Sequence, residues 1–279
     1  MERTPPIDAR AFNAFEVEGW EGRVDAYDRF FTPITGRLFD PLLDAVRVEP
    51  GTRLLDVATG PGHLPARAAE RGAVPVGVDV ANAMVTRARE LYPTLEFHRG
   101  DAEALPFADA EFDAVTANFL LPHLARPERA MAELVRVLAP GGRLAMATWD
   151  VPSRARLFGF FLEAFNEVGA APPSDLPAGP DVFRFADDAA FTELLTTAGL
   201  RDVEVSPIGF DHDGATSDEY WQALREGTVR MSSLLYGQSE ETRQQIRDAL
   251  ERKLDEHRTP TDTITLPVAV KLATGRKIS

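Results

Sequence analysis

The chain has 279 residues and carries 30 basic against 44 acidic side chains, which gives a formal net charge of −14. It contains no cysteine, and this excludes disulfides, thiolate nucleophiles and cysteine-ligated zinc or iron–sulfur sites. Because nucleic acids are themselves densely negative, so acidic a chain is a poor binder of DNA or RNA. The stretch MERTPPIDAR lacks the apolar segment of a secretory signal, and no uncharged run reaches the ~20 residues that cross a bilayer. We therefore expect a cytoplasmic protein that binds neither nucleic acid nor membrane.

Strand-like and helix-like segments alternate through the middle of the chain. Short apolar strands are predicted at 53–58, 74–80, 95–98, 112–118 and 143–149, and helices at 64–71, at 82–91 and from Pro127 to the stop at Pro140-Gly141-Gly142. The last of these helices has apolar residues at helical spacing. Such alternation predicts right-handed βαβ units and a parallel sheet that is covered by helices on both faces.

The second half of the chain adds two predicted strands, at 203–210 and 263–273. Asp187 is predicted to cap the helix that precedes the first of them, and Gly199 to end that helix. Pro267 interrupts the last strand and so favours a bulged or an edge position for it, because proline donates no backbone hydrogen bond.

Three segments fall outside this alternating pattern: the aromatic-rich residues 1–50, an apolar helix and Pro/Gly-rich loop at 150–186, and a helical region at 212–258. We interpret them as a helical lid over the carboxyl ends of the strands, where open α/β sheets bind ligands. The predicted organisation is thus an N-terminal lid segment, a cofactor-binding core at 51–150, and the rest of the core sheet with two lid insertions at 151–279.

Three strand ends carry residues suited to one ligand. In LLDVATGPGH, Gly60 and Gly62 permit positive φ and a close approach of the backbone, and free N–H groups at the following helix start face that position. Asp79 ends the second strand, where a carboxylate either accepts hydrogen bonds from ribose hydroxyls or caps the next helix. Asp101, followed by Ala102, comes after the third strand and either meets an adenine amino group or serves as a turn carboxylate.

The stretches LLDVATGPG, VGVDVANAMVTRARE, GDAEALPFADAEFDAV and ELVRVLAPGGRLAMATW resemble those of the class I S-adenosylmethionine-dependent methyltransferases. The similarity is greatest to the branch of ubiquinone/menaquinone C-methyltransferases and small-molecule methyltransferases of bacterial secondary metabolism, and it covers about residues 50–150. It implies a Rossmann-like, doubly wound, mostly parallel seven-stranded α/β sheet with a helical lid. It also implies S-adenosylmethionine as methyl donor, S-adenosylhomocysteine as product and a small-molecule acceptor. Ala58 departs from the pattern, because many relatives have the first glycine of the turn there.

The resemblance also implies a set of cofactor contacts. It assigns to the methionine end of the cofactor Tyr27, Asp56, Ala58, Gly60, Gly62 and Asn118. It assigns to the ribose and the adenine Asp79, Val80, Met84, Asp101 and Ala102.

Methyl transfer from a sulfonium needs mainly alignment of the reacting atoms and exclusion of water. Where the acceptor must lose a proton, His123, just after the fourth strand, is the candidate base; it could equally pack or cap. Tyr220 and Trp221 are candidate substrate contacts or lid core. Arg230 is expected to pair with an acid of the protein or with a substrate carboxylate. No metal-ligand spacing is apparent.

Two other functions share part of these features. An NAD(P)-dependent oxidoreductase would also have a strand, a glycine turn and an acidic strand end, but the turn here lacks the third glycine of G-x-G-x-x-G. A methyltransferase fold that binds the cofactor without methylating, as a cyclase-like enzyme, a sensor or a partner subunit, would keep all the cofactor contacts. The sequence leaves open the acceptor, the methylated atom (O, N or C), and whether the protein is a monomer or a homodimer.

Overall fold

The computed structural model describes residues 7–278, so the first six residues of MERTPPIDAR, where we looked for a secretory signal, lie outside the described residues. The strands are β1 Arg53–Val57, β2 Val74–Asp79, β3 Glu96–Arg99, β4 Phe112–Asn118, β5 Leu138–Trp149, β6 Leu200–Ala215 and β7 Ile264–Lys277. They form one seven-stranded sheet of order β3-β2-β1-β4-β5-β7-β6. The pairs among β1 to β5 are parallel, and β7 is antiparallel to both β5 and β6. The predicted fold class, an α/β protein with a mostly parallel seven-stranded sheet, is confirmed.

In the part of the chain that the structure describes, four α-helices precede the first strand, and the others lie between strands. In chain order the α-helices of the described residues are α1 Ala9–Glu21, α2 Val24–Phe30, α3 Thr32–Thr35, α4 Phe39–Ala45, α5 His63–Glu70, α6 Asn82–Leu91, α7 Pro127–Val137, α8 Arg156–Glu167, α9 Asp188–Thr197, α10 Ser217–Glu226, α11 Arg230–Tyr236 and α12 Glu240–Leu254. Asp187 caps α9 as predicted, its side chain accepting a hydrogen bond from the Ala190 N–H. Within residues 7–278, no helix combines the length and the apolar character that a membrane crossing requires.

The order of the strands determines where a ligand can bind. β1 has β2 on one side and β4 on the other, and both are parallel to it. The chain continues from β1 to β2 on one side of β1, and it later returns from β3 to β4 on the other side. This reversal of direction opens a crevice at the carboxyl ends of β1 and β4. Ala58, Gly60 and Gly62 follow β1 and Asn118 ends β4, and these are among the residues that the resemblance assigns to the cofactor.

Three strands are longer than the sequence predicts, and for β5 and β6 the extension changes the interpretation. β6 runs from Leu200 to Ala215, so the second lid insertion begins after residue 215 and not at 212. β5 begins at Leu138, and Pro140-Gly141-Gly142 therefore lies inside a strand. The pairing of β4 with β5 shifts register between Phe112 and Ala114, so this glycine pair accommodates a bulge, and the preceding helix has already ended at Val137.

The sequence predicts a bulged or an edge position for the strand with Pro267. The edge position is wrong for β7 as a whole, because β7 lies between β5 and β6, whereas the pairing of β6 with β7 does shift register nearby, between Asp213 and Ala215. The pairing with β5 ends, however, at Trp149 opposite Val270. Pro267 lies beyond that point and is paired only with Asp211 of β6. One side of β7 is thus free of a neighbouring strand at Pro267, and the missing N–H is tolerated for the same reason as at an edge.

The N-terminal helices are fastened to both the core and the inserted helices. Glu21, at the end of α1, accepts hydrogen bonds from the Asn82 N–H (2.7 Å) and the Ala83 N–H (2.9 Å), so it caps the first turn of α6. Arg23 donates to the Thr228 carbonyl and to the Ser232 hydroxyl beside and within α11. These bonds hold α1 and α2 above the carboxyl ends of the strands.

Candidate active site

A cavity of about 300 Å³ lies at the carboxyl ends of the strands and beneath the lid helices. Its size is at the lower end of the usual range for small-molecule sites. Of the predicted site residues, the structure brings to its wall Tyr27, Ala58, Gly60, Asp79, Val80, Met84, Asp101, Ala102, Asn118, His123 and Arg230. Asp56, Gly62, Tyr220 and Trp221 are not among the residues of this wall.

The two glycines of the turn after β1 have different surroundings. Gly60 has φ +53°, and a Cβ added there would meet only the Tyr27 ring, at 3.9 Å, on the cavity side. Gly62 has φ +86°, and its added Cβ would come within 2.7 Å of the Phe97 ring, inside the protein. Gly60 therefore lets a ligand approach the backbone, whereas Gly62 lets the turn pack against β3 and α6.

Two residues without glycine's freedom adopt left-handed backbone conformations at the cavity. Ala58 has φ +59° after β1, and Phe119 has φ +58° after β4. Each such conformation costs about 1 kcal/mol or more in a non-glycine residue and is commonly found where a site requires a fixed geometry. The positive φ of Ala58 gives a physical reason for the glycine that many relatives have there.

Asp79 joins the end of β2 to the glycine turn. Its Oδ2 accepts a hydrogen bond from the Gly60 N–H (2.9 Å), and its Oδ1 accepts one from the Ala81 N–H (3.0 Å). Burial raises the pKa of this carboxyl, although these backbone bonds and the nearby His123 act in the opposite direction. Each oxygen keeps a lone pair for a further donor, so Asp79 can hold the turn and accept bonds from a ligand at once.

Asn118 ends β4 with an unused acceptor. Its Nδ2 donates to the Thr35 carbonyl (3.1 Å), whereas its Oδ1 is buried and has no partner among the described residues. The Tyr27 hydroxyl lies 3.4 Å from Thr35 Oγ1, and burial raises the pKa of Tyr27 to about 12. Near neutral pH the cavity therefore has the carbonyl acceptor of Asn118 and the neutral hydroxyl of Tyr27, and both side chains lie next to Thr35.

Asp101 takes part in the turn after β3. Its Oδ1 accepts a hydrogen bond from the Glu103 N–H at 2.8 Å, while the side chain is exposed and borders the cavity. Ala102 beside it is buried. Asp101 is thus a turn carboxylate that also borders the cavity, and its contact with an adenine amino group stays a prediction.

Asp56 lies behind the turn and not in the cavity wall. It is paired directly with Thr116 across β1 and β4 and accepts a hydrogen bond from the Thr116 hydroxyl at 2.8 Å. Burial raises the pKa of Asp56 to about 7. This carboxyl connects the two strands whose ends form the crevice.

His123, in the short 3₁₀ helix Leu121–His123 after β4, is hydrogen-bonded to a residue that the sequence analysis missed. Its Nδ1 lies 2.8 Å from Oε2 of Glu16 on α1, and the edge of its ring meets the Trp20 ring at 5.3 Å. Glu16 is almost fully buried, and all three side chains line the cavity. Glu16 is one helical turn from both Phe12 and Trp20, so a carboxylate within an apolar stripe was the signal that could have identified it.

Arg230 borders the cavity without a carboxylate partner. Its Nη1 donates to the Pro177 carbonyl at 3.2 Å, and no acid of the described residues lies within ion-pair distance. Burial lowers the pKa of its guanidinium, and Glu16 counteracts this. The structure therefore does not pair Arg230 with an acid of the protein, which was one of the two expectations.

Tyr220 and Trp221 belong to the packed interior of the lid. Both are buried, and the Tyr220 hydroxyl donates to the Leu157 carbonyl of α8. The interpretation of these two residues as lid core fits their positions, and that of substrate contacts does not. Aromatic side chains of other elements line the cavity instead, namely Trp20, Phe31, Phe119, Trp149, Phe158 and Phe183. Among residues 7–278 there is no group of three or more His, Asp or Glu side chains that could hold a metal ion.

Comparison with known proteins agrees with this geometry. Residues 55–146 match the family model described as a methyltransferase domain. The chain is 37% identical over 169 residues to the demethylmenaquinone methyltransferase of Beutenbergia cavernae, covering 58% of this chain and 70% of the relative. It is 35% identical over 170 residues to the enzyme of the same name from Chlorobaculum parvum, covering 57% and 70% respectively.

The fold comparison extends beyond the matched segment. The crystal structure of a putative methyltransferase from an antibiotic biosynthesis pathway of Anabaena variabilis aligns with a TM-score of 0.62 at 18% identity. The alignment covers 86% of this chain and 96% of the other. Sequence and fold together show that this protein uses S-adenosylmethionine as methyl donor. The chain belongs to the class I S-adenosylmethionine-dependent methyltransferases, in the branch that includes the demethylmenaquinone methyltransferases.

Proposed function

We propose that this enzyme methylates a small apolar ring compound of the quinol type, as part of bacterial quinone metabolism. The observation that carries the proposal is the composition of the cavity wall on the lid side. Aromatic and aliphatic side chains dominate it, among them Phe31, Trp149, Phe158, Leu162 and Leu234. Flat rings pack well against such walls, and the names of the relatives indicate the same substrate class.

The cofactor assignment rests on three features of the core side of the cavity. The open space at Gly60 suits a close approach by the methionine part of S-adenosylmethionine, and the unused Oδ1 of Asn118 suits its ammonium group. The cavity position of the Asp79 carboxylate suits hydrogen bonds donated by the ribose hydroxyls. The proposal assigns the adenine to Val80 and Met84, and the adenine edge to Asp101 and Ala102, which also line the cavity. Asp56 and Gly62 contribute by holding the strands and the turn.

The chemistry requires a positioned acceptor more than an elaborate set of catalytic groups. S-adenosylmethionine supplies an electrophilic methyl group, so the protein must align the acceptor and exclude water. His123 is the proposed base, and Glu16 is a positioning residue. With Nδ1 turned to the Glu16 carboxylate, Nε2 is left for the acceptor proton, and the buried carboxylate stabilises the positive charge that then develops on the ring.

A labelling experiment tests the proposed function. The purified enzyme is incubated with methyl-labelled S-adenosylmethionine and either a naphthoquinol that lacks the ring methyl, kept reduced, or a set of polar primary amines. We expect label in the quinol and none in the amines, and fragmentation of the product identifies the methylated atom. Transfer to the amines alone, or tight binding of S-adenosylhomocysteine without transfer to any acceptor, would contradict the proposal.

A further inference from the structure

Arg230 is a cationic side chain on the lid side of the cavity, and most of its N–H donors have no partner among the described residues. It is the first residue of α11 and is partly buried, yet it makes one hydrogen bond, to the Pro177 carbonyl. A guanidinium carries five N–H donors and cannot give up its charge in a protein. Removing such a group from water is costly unless an anion or several acceptors compensate for it.

Arg23, whose side chain lies beside α11, shows how this fold provides hydrogen-bond acceptors for a guanidinium with a structural role. Arg23 donates to the Thr228 carbonyl (2.7 Å), the Gly19 carbonyl (2.6 Å) and the Ser232 hydroxyl (2.9 Å). These three acceptors account for each of its nitrogens. Arg230, whose helix begins beside these acceptors, has no comparable set among the described residues, and it lines the cavity.

The charges around the cavity do not neutralise Arg230. Glu16 is the acid whose field acts on it, but the Glu16 carboxylate is committed to His123 at 2.8 Å. Asp79 is bonded to the backbone of the turn, and Asp101 lies in the turn after β3. Arg230 is therefore a charged side chain of the cavity wall to which no opposite charge is bonded among the described residues.

We propose that Arg230 binds an anionic oxygen of the methyl acceptor, either a carboxylate or a phenolate on its apolar ring. This inference rests on the proposed function, because it identifies the acceptor's class more closely. Guanidinium–oxyanion bonds are charge-assisted and about twice as strong as neutral ones, so the same ring without the charge binds more weakly. Met231 and Leu234 of the same helix also line the cavity and contact the apolar body of the acceptor.

Binding of matched probes to the enzyme saturated with S-adenosylhomocysteine tests this assignment. The first arm compares 2-naphthoate with its neutral amide at pH 7.5. The second measures 2-naphthol at pH 7.5 and pH 9.5, since a phenolic hydroxyl ionises near ~10. Both are measured by calorimetry for the wild type, Arg230→Gln, Arg230→Lys and the control Arg225→Gln. Arg225 lies on α10 beside Tyr236 and outside the cavity wall.

We expect the wild type and Arg225→Gln to prefer one anionic probe over its neutral form by at least ~10-fold. Arg230→Gln should reduce that preference to less than ~2-fold, and Arg230→Lys should restore part of it. A preference in the first arm identifies a carboxylate, and one in the second a phenolate. Equal preference in the wild type and in Arg230→Gln, or no preference in the wild type, overturns the inference. If the enzyme does not bind S-adenosylhomocysteine at all, the proposed function is overturned together with this inference.

Discussion

The pair formed by Glu16 and His123 gives the sharpest test of how this enzyme works. Glu16→Gln keeps the size and one acceptor oxygen but removes the charge. A hydrogen bond to a charged group contributes about 1.5–3 kcal/mol, and a neutral one about 0.5–1.5 kcal/mol. The difference of about 1.4 kcal/mol, applied to a transition state with positive charge on the ring, corresponds to a roughly tenfold lower kcat.

The assay is a double-mutant cycle on kcat, with S-adenosylhomocysteine affinity as the check on the fold. His123→Asn removes the proton acceptor and is expected to lower kcat by ~100-fold. If Glu16 acts only through His123, adding Glu16→Gln to His123→Asn lowers kcat no further. Glu18→Gln, on the exposed face of the same helix, removes the same charge and should leave kcat unchanged.

Two results would refute this reasoning. A double variant that is ~1000-fold slower, the product of the two single effects, would show that Glu16 acts independently of His123. Full activity of His123→Asn would show that methyl transfer relies on alignment alone, and the Glu16 pair would then serve to hold α1 against the core.

Three further predictions concern the core side of the cavity. Asp79→Ala should weaken S-adenosylhomocysteine binding by ~100-fold, because two charge-assisted bonds of ~1.5 kcal/mol each are lost; a change below threefold in calorimetry would assign Asp79 to the turn alone. Gly62→Ala should lower the melting temperature, because its Cβ would meet the Phe97 ring. Gly60→Ala should weaken cofactor binding with less effect on stability. A larger loss of stability in Gly60→Ala than in Gly62→Ala would contradict the surroundings described for the two glycines. Burial raises the pKa of Asp56 to about 7, so the folded protein keeps a proton that the unfolded chain releases, and Asp56 costs stability as the pH rises from ~4 through ~7. Asp56→Asn should therefore raise the melting temperature at pH 8, where the gain in unfolding free energy is up to about 4 kcal/mol, and should change the melting temperature little at pH 4. An equal change at both pH values would show that the raised pKa of Asp56 is not the reason.

The core of the site could be predicted because its signals are local in sequence. Gly60 and Asp79 each stand at the end of an apolar strand, and parallel strands bring such ends together at one edge of the sheet. Whether a given glycine faces the ligand or the interior depends on tertiary packing. Gly62 lies against Phe97, a residue of another strand, and no local pattern distinguishes it from Gly60.

The lid was harder to predict because its contacts join segments far apart in the chain. Arg23 bonds to residues more than 200 positions away, and Glu16 meets His123 across 107 positions. An acid on an apolar helix face indicates that it needs a partner, but the sequence does not say which one.

The same reasoning separates the lid's packing residues from its functional ones. Tyr220 satisfies its hydroxyl within the protein, at the Leu157 carbonyl, so its burial leaves nothing for a ligand. Glu16, His123 and Arg230 all line the cavity, and the Glu16 carboxylate is hydrogen-bonded to the His123 imidazole. Only Arg230 is without a partner among the described residues that matches its charge. On the proposed role of Arg230, a ligand completes this group, and the acceptor's own charge is then the property that the lid selects.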